Sequence, residues 1–210
     1  MLVVKDFIKK YNEQLVLDIK ELVIEPGIYW VKGPNGSGKT SFFRSIAGII
    51  PCKGSVSIAG IDLREKPTEY RRLINYAEAE PMLPVFLTGY ELIGFYADSK
   101  GGDMNAVNEL VEYFGIKSFI QNPIGTYSSG MLKKLSVLLA FIGQPKIILL
   151  DEPLITIEDT FLPKIYELIK QWHAERNVTF LISSHQPLRE GGVGTYQTLQ
   201  LANQTITCIG

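Results

Sequence analysis

The sequence predicts an α/β fold: a mostly parallel sheet crossed by helices, an N-terminal antiparallel β lobe and an inserted helical lobe. Three observations predict it. A glycine-rich loop, Gly33-Pro34-Asn35-Gly36-Ser37-Gly38-Lys39-Thr40, lies between strand-like and helix-like text. Ile147-Ile148-Leu149-Leu150 sets four aliphatics directly before Asp151 and Glu152, the pattern of a parallel strand covered on both faces. Residues 89–122 carry helical periodicity without strand signals. The 210 residues suffice for one sizeable core but not two large domains. A single domain, 1–210, is expected, with β lobe and loop core over 1–84 and 145–210 and a helical lobe over about 85–144.

Taken in order, Leu2-Val3-Val4 and Leu22-Val23-Ile24, broken near Asn12-Glu13, read as an antiparallel hairpin with Tyr11 just before the break. Pro26-Gly27 turns into the strand Ile28-Tyr29-Trp30-Val31. After the loop, Phe42, Ile46 and Ile49 recur at helical steps. Ser55–Ala59 alternates like a half-exposed strand, and Leu73–Ala77 is a further strand ending in Glu78-Ala79-Glu80-Pro81. In the helical lobe, Leu92, Phe95 and Tyr96 form one stripe, and Val107, Leu110, Val111 and Phe114 another. Tyr127-Ser128-Ser129-Gly130-Met131 precedes a helix with an apolar face of Leu132, Leu135, Leu139 and Ile142, capped by Ser128 or Ser129. Phe161, Ile165, Leu168 and Trp172 mark another helix, Val178–Ser183 a strand followed by His185, and residues 196–209 short β text.

The loop fits G-x-x-x-x-G-K-[ST], a backbone cradle for phosphate. Its glycines let several N–H groups converge on one point. Lys39 adds a cation that reaches terminal phosphates, Thr40 a hydroxyl for a bound Mg²⁺, and the following helix its positive end. Asp151, fixed on a rigid strand, is a carboxylate suited to retaining that Mg²⁺. Glu152, one residue on, points elsewhere and suits a base that polarises water. His185 is placed to sense the γ-phosphate, and Tyr11 either stacks on a nucleobase or covers the core. The loop, Asp151-Glu152 and His185 all follow carboxyl ends of strands, where such sheets bind ligands. Ser128, Ser129 and Gly130 open a helix that needs no function as a cap; as an anion site on another lobe, it hints at a second subunit's nucleotide.

The net charge of −1 gives no argument for nucleic acid. Cys52 and Cys208 match no metal spacing and read as reduced thiols of a cytosolic protein. Met1-Leu2-Val3-Val4 runs at once into Lys5 and Asp6, so no signal peptide is expected. The longest apolar run, Val137 to Gly143, is far short of the ~20 residues that span a bilayer.

Together these segments resemble an ABC-type ATPase, specifically the nucleotide-binding subunit of an ABC transporter, over nearly the whole chain. Gly33 to Thr40, with Ser41 next in the chain, resembles Walker A; Ile147 to Glu152 resembles Walker B with its catalytic glutamate. Ser128 to Met131 resembles the signature motif, His185 the switch histidine and Tyr11 the aromatic that stacks on adenine. Ser128 lies 23 positions before Asp151, as the family's spacing requires. The resemblance implies a P-loop NTPase core, ATP and Mg²⁺ as cofactors, and Lys39, Glu152 and His185 in catalysis. It also implies closure of two subunits, alike or different, over two ATP molecules, and transmembrane permease subunits docked near the helical lobe. The chain would then sit peripherally on the cytoplasmic face of a membrane, and the Tyr-Ser-x-Gly-Met form resembles exporter-type subunits. Three departures stand out: Ser129 for the first glycine of Ser-Gly-Gly-Gln, Ala79 where the family places a glutamine, and Glu158 for its aspartate after Walker B. Alternatives are a soluble ABC ATPase not coupled to transport, a small-molecule kinase on the same loop, and a nucleotide-responsive subunit with weak hydrolysis.

Overall fold

This computed structural model describes residues 1–153, 161–184, 187–188 and 192–209. In chain order the elements are β1 (Leu2–Tyr11), β2 (Gln14–Ile24), β3 (Ile28–Lys32), α1 (Lys39–Ile46), β4 (Lys53–Ile58), β5 (Ile61–Asp62), α2 (Pro67–Leu73) and β6 (Ile74–Ala77). There follow α3 (Gly89–Lys100), α4 (Met104–Phe114), a 3-10 turn (Ile124–Thr126), α5 (Ser129–Ala140), β7 (Ile147–Asp151), α6 (Leu162–Arg176), β8 (Thr179–Ser183), β9 (Gln197–Ala202) and β10 (Thr205–Ile209).

An antiparallel sheet runs β2-β1-β4-β5, and a larger sheet runs β10-β9-β3-β8-β7-β6. In the larger sheet only the β10–β9 pairing is antiparallel. The expected architecture, a mostly parallel core with an antiparallel β lobe, is the one observed. Strand β7 explains the unbroken aliphatic run. Ile147 and Leu149 pack into the core shared with β1, β2 and α1, whereas Ile148 and Leu150 pack into the core shared with α3 to α6. All four are buried, and each contributes roughly 1.5–3 kcal/mol relative to exposure. The helical segment therefore shares one hydrophobic core with a face of the large sheet.

The local chemistry agrees with these boundaries. Thr88 accepts from the Glu91 amide and Glu91 accepts from the Thr88 amide, closing a capping box that starts α3. Asp103 caps α4, and Gly101 and Gly115 end α3 and α4 in left-handed geometry.

Several expectations need correction. Helix α1 ends at Ile46, and Ile49 lies beyond it, half exposed. Leu73 closes α2, a helix the strand reading concealed; Pro67 at its first position was the available signal. Phe95 is not in the buried stripe of α3: it is 67% exposed, and Ile93 takes the core position beside Leu92. The helical text over 89–122 resolves into α3, α4 and turns, with no helix from Gly115 to Asn122.

Candidate active site

The register of the large sheet assembles the site. Val31 pairs with Ser183, and Ser183 pairs with Asp151, so the ends of β3, β8 and β7 stand in one row. The phosphate loop leaves β3 two residues beyond that row and bends back over it. Gly33 permits the bend: a Cβ there would lie 2.7 Å from the Leu201 carbonyl oxygen and 2.6 Å from Ser37 Oγ. Gly38, at φ +102°, is the residue before α1, and no side chain caps that helix. Its first turn therefore presents amide N–H groups that the helix itself cannot satisfy. Ser37 Oγ is buried without a hydrogen-bond partner. A polar cradle of this kind fits an anion.

Lys39 is nearly buried, and its ammonium donates to the carbonyls of Gly33 (2.7 Å) and Pro34 (3.2 Å). Beside it the Thr40 hydroxyl donates to Asp151 Oδ2 at 2.7 Å. The loop and the acid strand, 111 residues apart in sequence, thus meet through one hydrogen bond. Asp151 Oδ2 also accepts from the Tyr76 hydroxyl at 3.1 Å, and Oδ1 accepts a short hydrogen bond from Ser183 Oγ. Three hydroxyls from three elements fix this carboxylate. Burial and the neighbouring Asp151 carboxylate push the Tyr76 phenol far above its usual range, so Tyr76 stays a donor. The set of a hydroxyl and one carboxylate oxygen fits Mg²⁺, a hard cation that takes few protein ligands and completes its shell from phosphate and water.

Glu152 holds a left-handed backbone at φ +46°, a cost for a non-glycine residue. Its amide donates to Ser183 Oγ (3.0 Å) and to the Ser183 carbonyl (3.2 Å), which holds the turn. One serine hydroxyl thereby sets both acids: it donates to Asp151 and accepts from Glu152. A cleft of about 430 Å³ is lined by Tyr11, Val16, Asn35 to Ser41, Asp151 and Glu152. Tyr11 forms part of its wall; its hydroxyl shares a hydrogen bond with Ser41 Oγ at 3.2 Å, and the Lys9 ammonium lies 4.5 Å from its ring centre. The ring is half exposed and does not cover the core.

The remaining expected residues fall elsewhere. Ser128, Ser129 and Gly130 open α5 and do not line this cleft. Ser128 Oγ accepts from the Met131 amide at 3.3 Å, so it is the cap. His185 and Glu158 lie outside the described residues.

With this geometry in place, similarity to known proteins becomes informative. Residues 20–155 match the family model described as ABC transporter. The chain belongs to the ABC transporter family. An uncharacterized ABC transporter ATP-binding protein of Bacillus subtilis, YhcH, is 30% identical over 88% of this chain and 62% of its own length. The bacitracin transport ATP-binding protein BcrA of Bacillus licheniformis is 31% identical over 86% of this chain and 60% of its own. The chain thus spans about three fifths of the length of these curated relatives. A solved ATP-binding subunit of an ABC transporter superposes with a TM-score of 0.86 at 25% identity, covering 98% of this chain and 87% of that one. An ATP-binding cassette in a dimeric post-hydrolysis state bound to ADP and Pi shares the fold, with a TM-score of 0.84 at 22% identity over 98% of this chain and 96% of that one.

Three residues of this ABC cassette escaped the sequence reading. Tyr76 and Ser183 clamp Asp151, and neither belongs to a spaced motif; only their places near strand ends marked them. Lys133 is 1% exposed on α5 and donates to the carbonyls of Glu78 (2.8 Å), Ala79 (3.1 Å) and Asp151 (2.9 Å). Burial holds its ammonium down to about 8, against the opposing pull of Asp151 and Glu152. Its signal was periodicity: Val137 and Ala140, four and seven positions on, are buried on the same helix.

Proposed function

We propose that this chain is the ATP-binding and ATP-hydrolysing subunit that powers an ABC transporter, of exporter type. The observation that carries the proposal is the Thr40–Asp151 hydrogen bond beside the uncapped start of α1. A bound Mg²⁺ would supply charge neutralisation at the phosphates, held by Thr40 and Asp151. ATP would rest its phosphates on the loop amides of Gly33 to Ser41, with its base beside Tyr11. Lys39 and those amides favour the charge that develops on the transferred phosphoryl group. Glu152 would accept the proton of the attacking water, which requires it to be ionised and within hydrogen-bond reach of that water. His185 is proposed as the sensor of the γ-phosphate.

A second subunit, the same chain or a different one, would bring its own Ser128, Ser129 and Gly130 to that phosphate. For the membrane side, a cleft of about 310 Å³ is lined by Ile49, Met82, Leu83, Phe95 and Tyr96 together with the charged Arg71, Glu78 and Lys100, and Met82, Val85 and Phe86 are strongly exposed. Exposed apolar side chains beside a mixed cleft suit an interaction surface, here for a permease segment. Among the described residues no helix is long and apolar enough to cross a membrane. As the subunit that powers a permease, the chain would sit peripherally on the cytoplasmic face. The exporter assignment rests on the form of Tyr127 to Met131; similarity to a bacitracin transport protein supports transport.

Isolation of the native complex from membranes tests the proposal. A multi-span protein recovered with the chain is expected. Recovery of the chain with soluble partners alone would favour a cassette uncoupled from transport. The weak-hydrolysis reading draws on Ala79, whose methyl side chain offers no ligand; ATP bound with near-zero phosphate release would favour it.

A further inference from the structure

We infer that Lys133 is a positioning residue that fixes the acid strand end and the segment after β6 to the helix beginning at Ser129. An ammonium has three N–H donors. Here they go to three main-chain carbonyls, those of Glu78, Ala79 and Asp151, and the side chain is 1% exposed. Glu78 and Ala79 lie just past the end of β6, and Asp151 closes β7, its parallel neighbour. The ammonium therefore spans the carboxyl ends of two adjacent strands. It does so from the helix that carries Ser128 to Gly130 at its start.

Burying an ammonium is costly, and an aliphatic side chain would fill the same space without that cost. What the lysine supplies is a fixed relation among three segments. Ala79 has no polar side chain, so it meets Lys133 through its carbonyl, beside the carbonyl of Glu78. Movement of α5 would be transmitted to the Asp151 carbonyl, and with it to the adjacent turn that aims Glu152. The other end of α5 provides a contrast. Asn75 Nδ2 donates to the carbonyls of Ala140 (2.9 Å) and Ile142 (2.8 Å), which ties that end to β6 without touching either acid.

The inference rests on the reading that Asp151 and Glu152 act on ATP, and its test separates the two. Lys133→Met, Lys133→Arg and Asn75→Ala are compared in the full chain by ATP dissociation constant, kcat and amide hydrogen exchange. Lys133→Met is expected to keep its ATP affinity within about threefold and to lose about 10- to 100-fold in kcat, the scale of a small misplacement of catalytic groups. Exchange should accelerate at the amides of residues 78–80 and 151–152. Lys133→Arg, which keeps cationic donors, should recover much of kcat. Asn75→Ala should lose thermal stability but keep kcat. Unchanged kcat and exchange in folded Lys133→Met would overturn the inference, as would an equal loss of kcat in Asn75→Ala. If the parent chain binds ATP without turnover, the hydrolytic reading fails and the exchange result alone decides the role of Lys133.

Discussion

Helices α1 and α5 both begin in serine- and glycine-rich text, yet only the second is capped by a side chain. At α1 the preceding residue is Gly38, with no side chain to cap the helix, and the buried hydroxyl of Ser37 has no partner. At α5 side chains close a capping box: Ser128 Oγ takes the Met131 amide, and the Met131 sulfur takes the Ser128 amide at 3.5 Å. The first terminus is incomplete and calls for an anion within the same chain. The second is partly closed by its own cap, which takes the amides of Ser128 and Met131 but not those of Ser129 and Gly130. Ser128 to Gly130 do not line the cleft of the phosphate loop, so an anion role at α5 would need apposition to another molecule, the role proposed above for a second subunit.

This difference breaks most sharply at the lysine of the loop. Lys39→Ala should weaken ATP binding by about 100-fold or more, the scale for losing a principal charged donor, as read by nucleotide titration. Ser128→Ala should leave the ATP affinity of a single chain within about twofold. Equal losses in both variants would erase the distinction between the two termini. In turnover, Ser128→Ala should fall about tenfold or more while stability drops only about 0.5–2 kcal/mol from the lost cap, measured by denaturant unfolding. Ser183→Ala removes the hydroxyl that serves both acids. It should cost about 1–3 kcal/mol and lower kcat more than it raises the ATP dissociation constant.

The smallest effect lies away from both termini. Lys100, at the end of α3, donates to the carbonyls of Arg71 and of Ile74 (2.9 Å). Burial, and then the Arg71 cation, hold its ammonium down to about 8 from 10.5. Between these values the unfolded chain keeps a proton that the folded chain has released, so stability rises with pH there. Above pH 10 the buried tyrosines, whose ionisation is pushed up, act in the opposite direction. Lys100→Met should therefore flatten the rise between pH 8 and 10 without altering ATP affinity. Lys133 would supply what remains of that rise.

How much of the molecule was readable in advance follows the same contrast. Gly33 to Thr40 and Ile147 to Glu152 were readable because their chemistry is contiguous: one segment writes the loop, and one segment writes a strand and its acids. Tyr11 was only half readable, because its contact with Ser41 depends on how the hairpin folds against the loop. Tyr76, Ser183 and Lys133 were not read. Each acts on Asp151 through the register of β6, β7 and β8 or the packing of α5, and pairwise geometry leaves no mark at one position of a sequence. Phe95 failed for a related reason. A helical stripe of apolar residues names a face but not what that face meets, and Phe95 points away from the core. Helix α2 was missed because its short polar text, Pro67 to Arg72, reads as loop until Tyr70 is seen buried, its hydroxyl on the Ile46 carbonyl.

The central claim is that one chain holds the triphosphate and a second chain completes the enclosure. Sedimentation of Glu152→Gln with saturating ATP and Mg²⁺ tests it most directly, because that variant should bind nucleotide without consuming it. The account predicts a species of twice the chain mass with two ATP molecules, which dissociates when nucleotide is removed. A variant that stays monomeric with ATP bound, or that still hydrolyses ATP at the parent's rate, would contradict it.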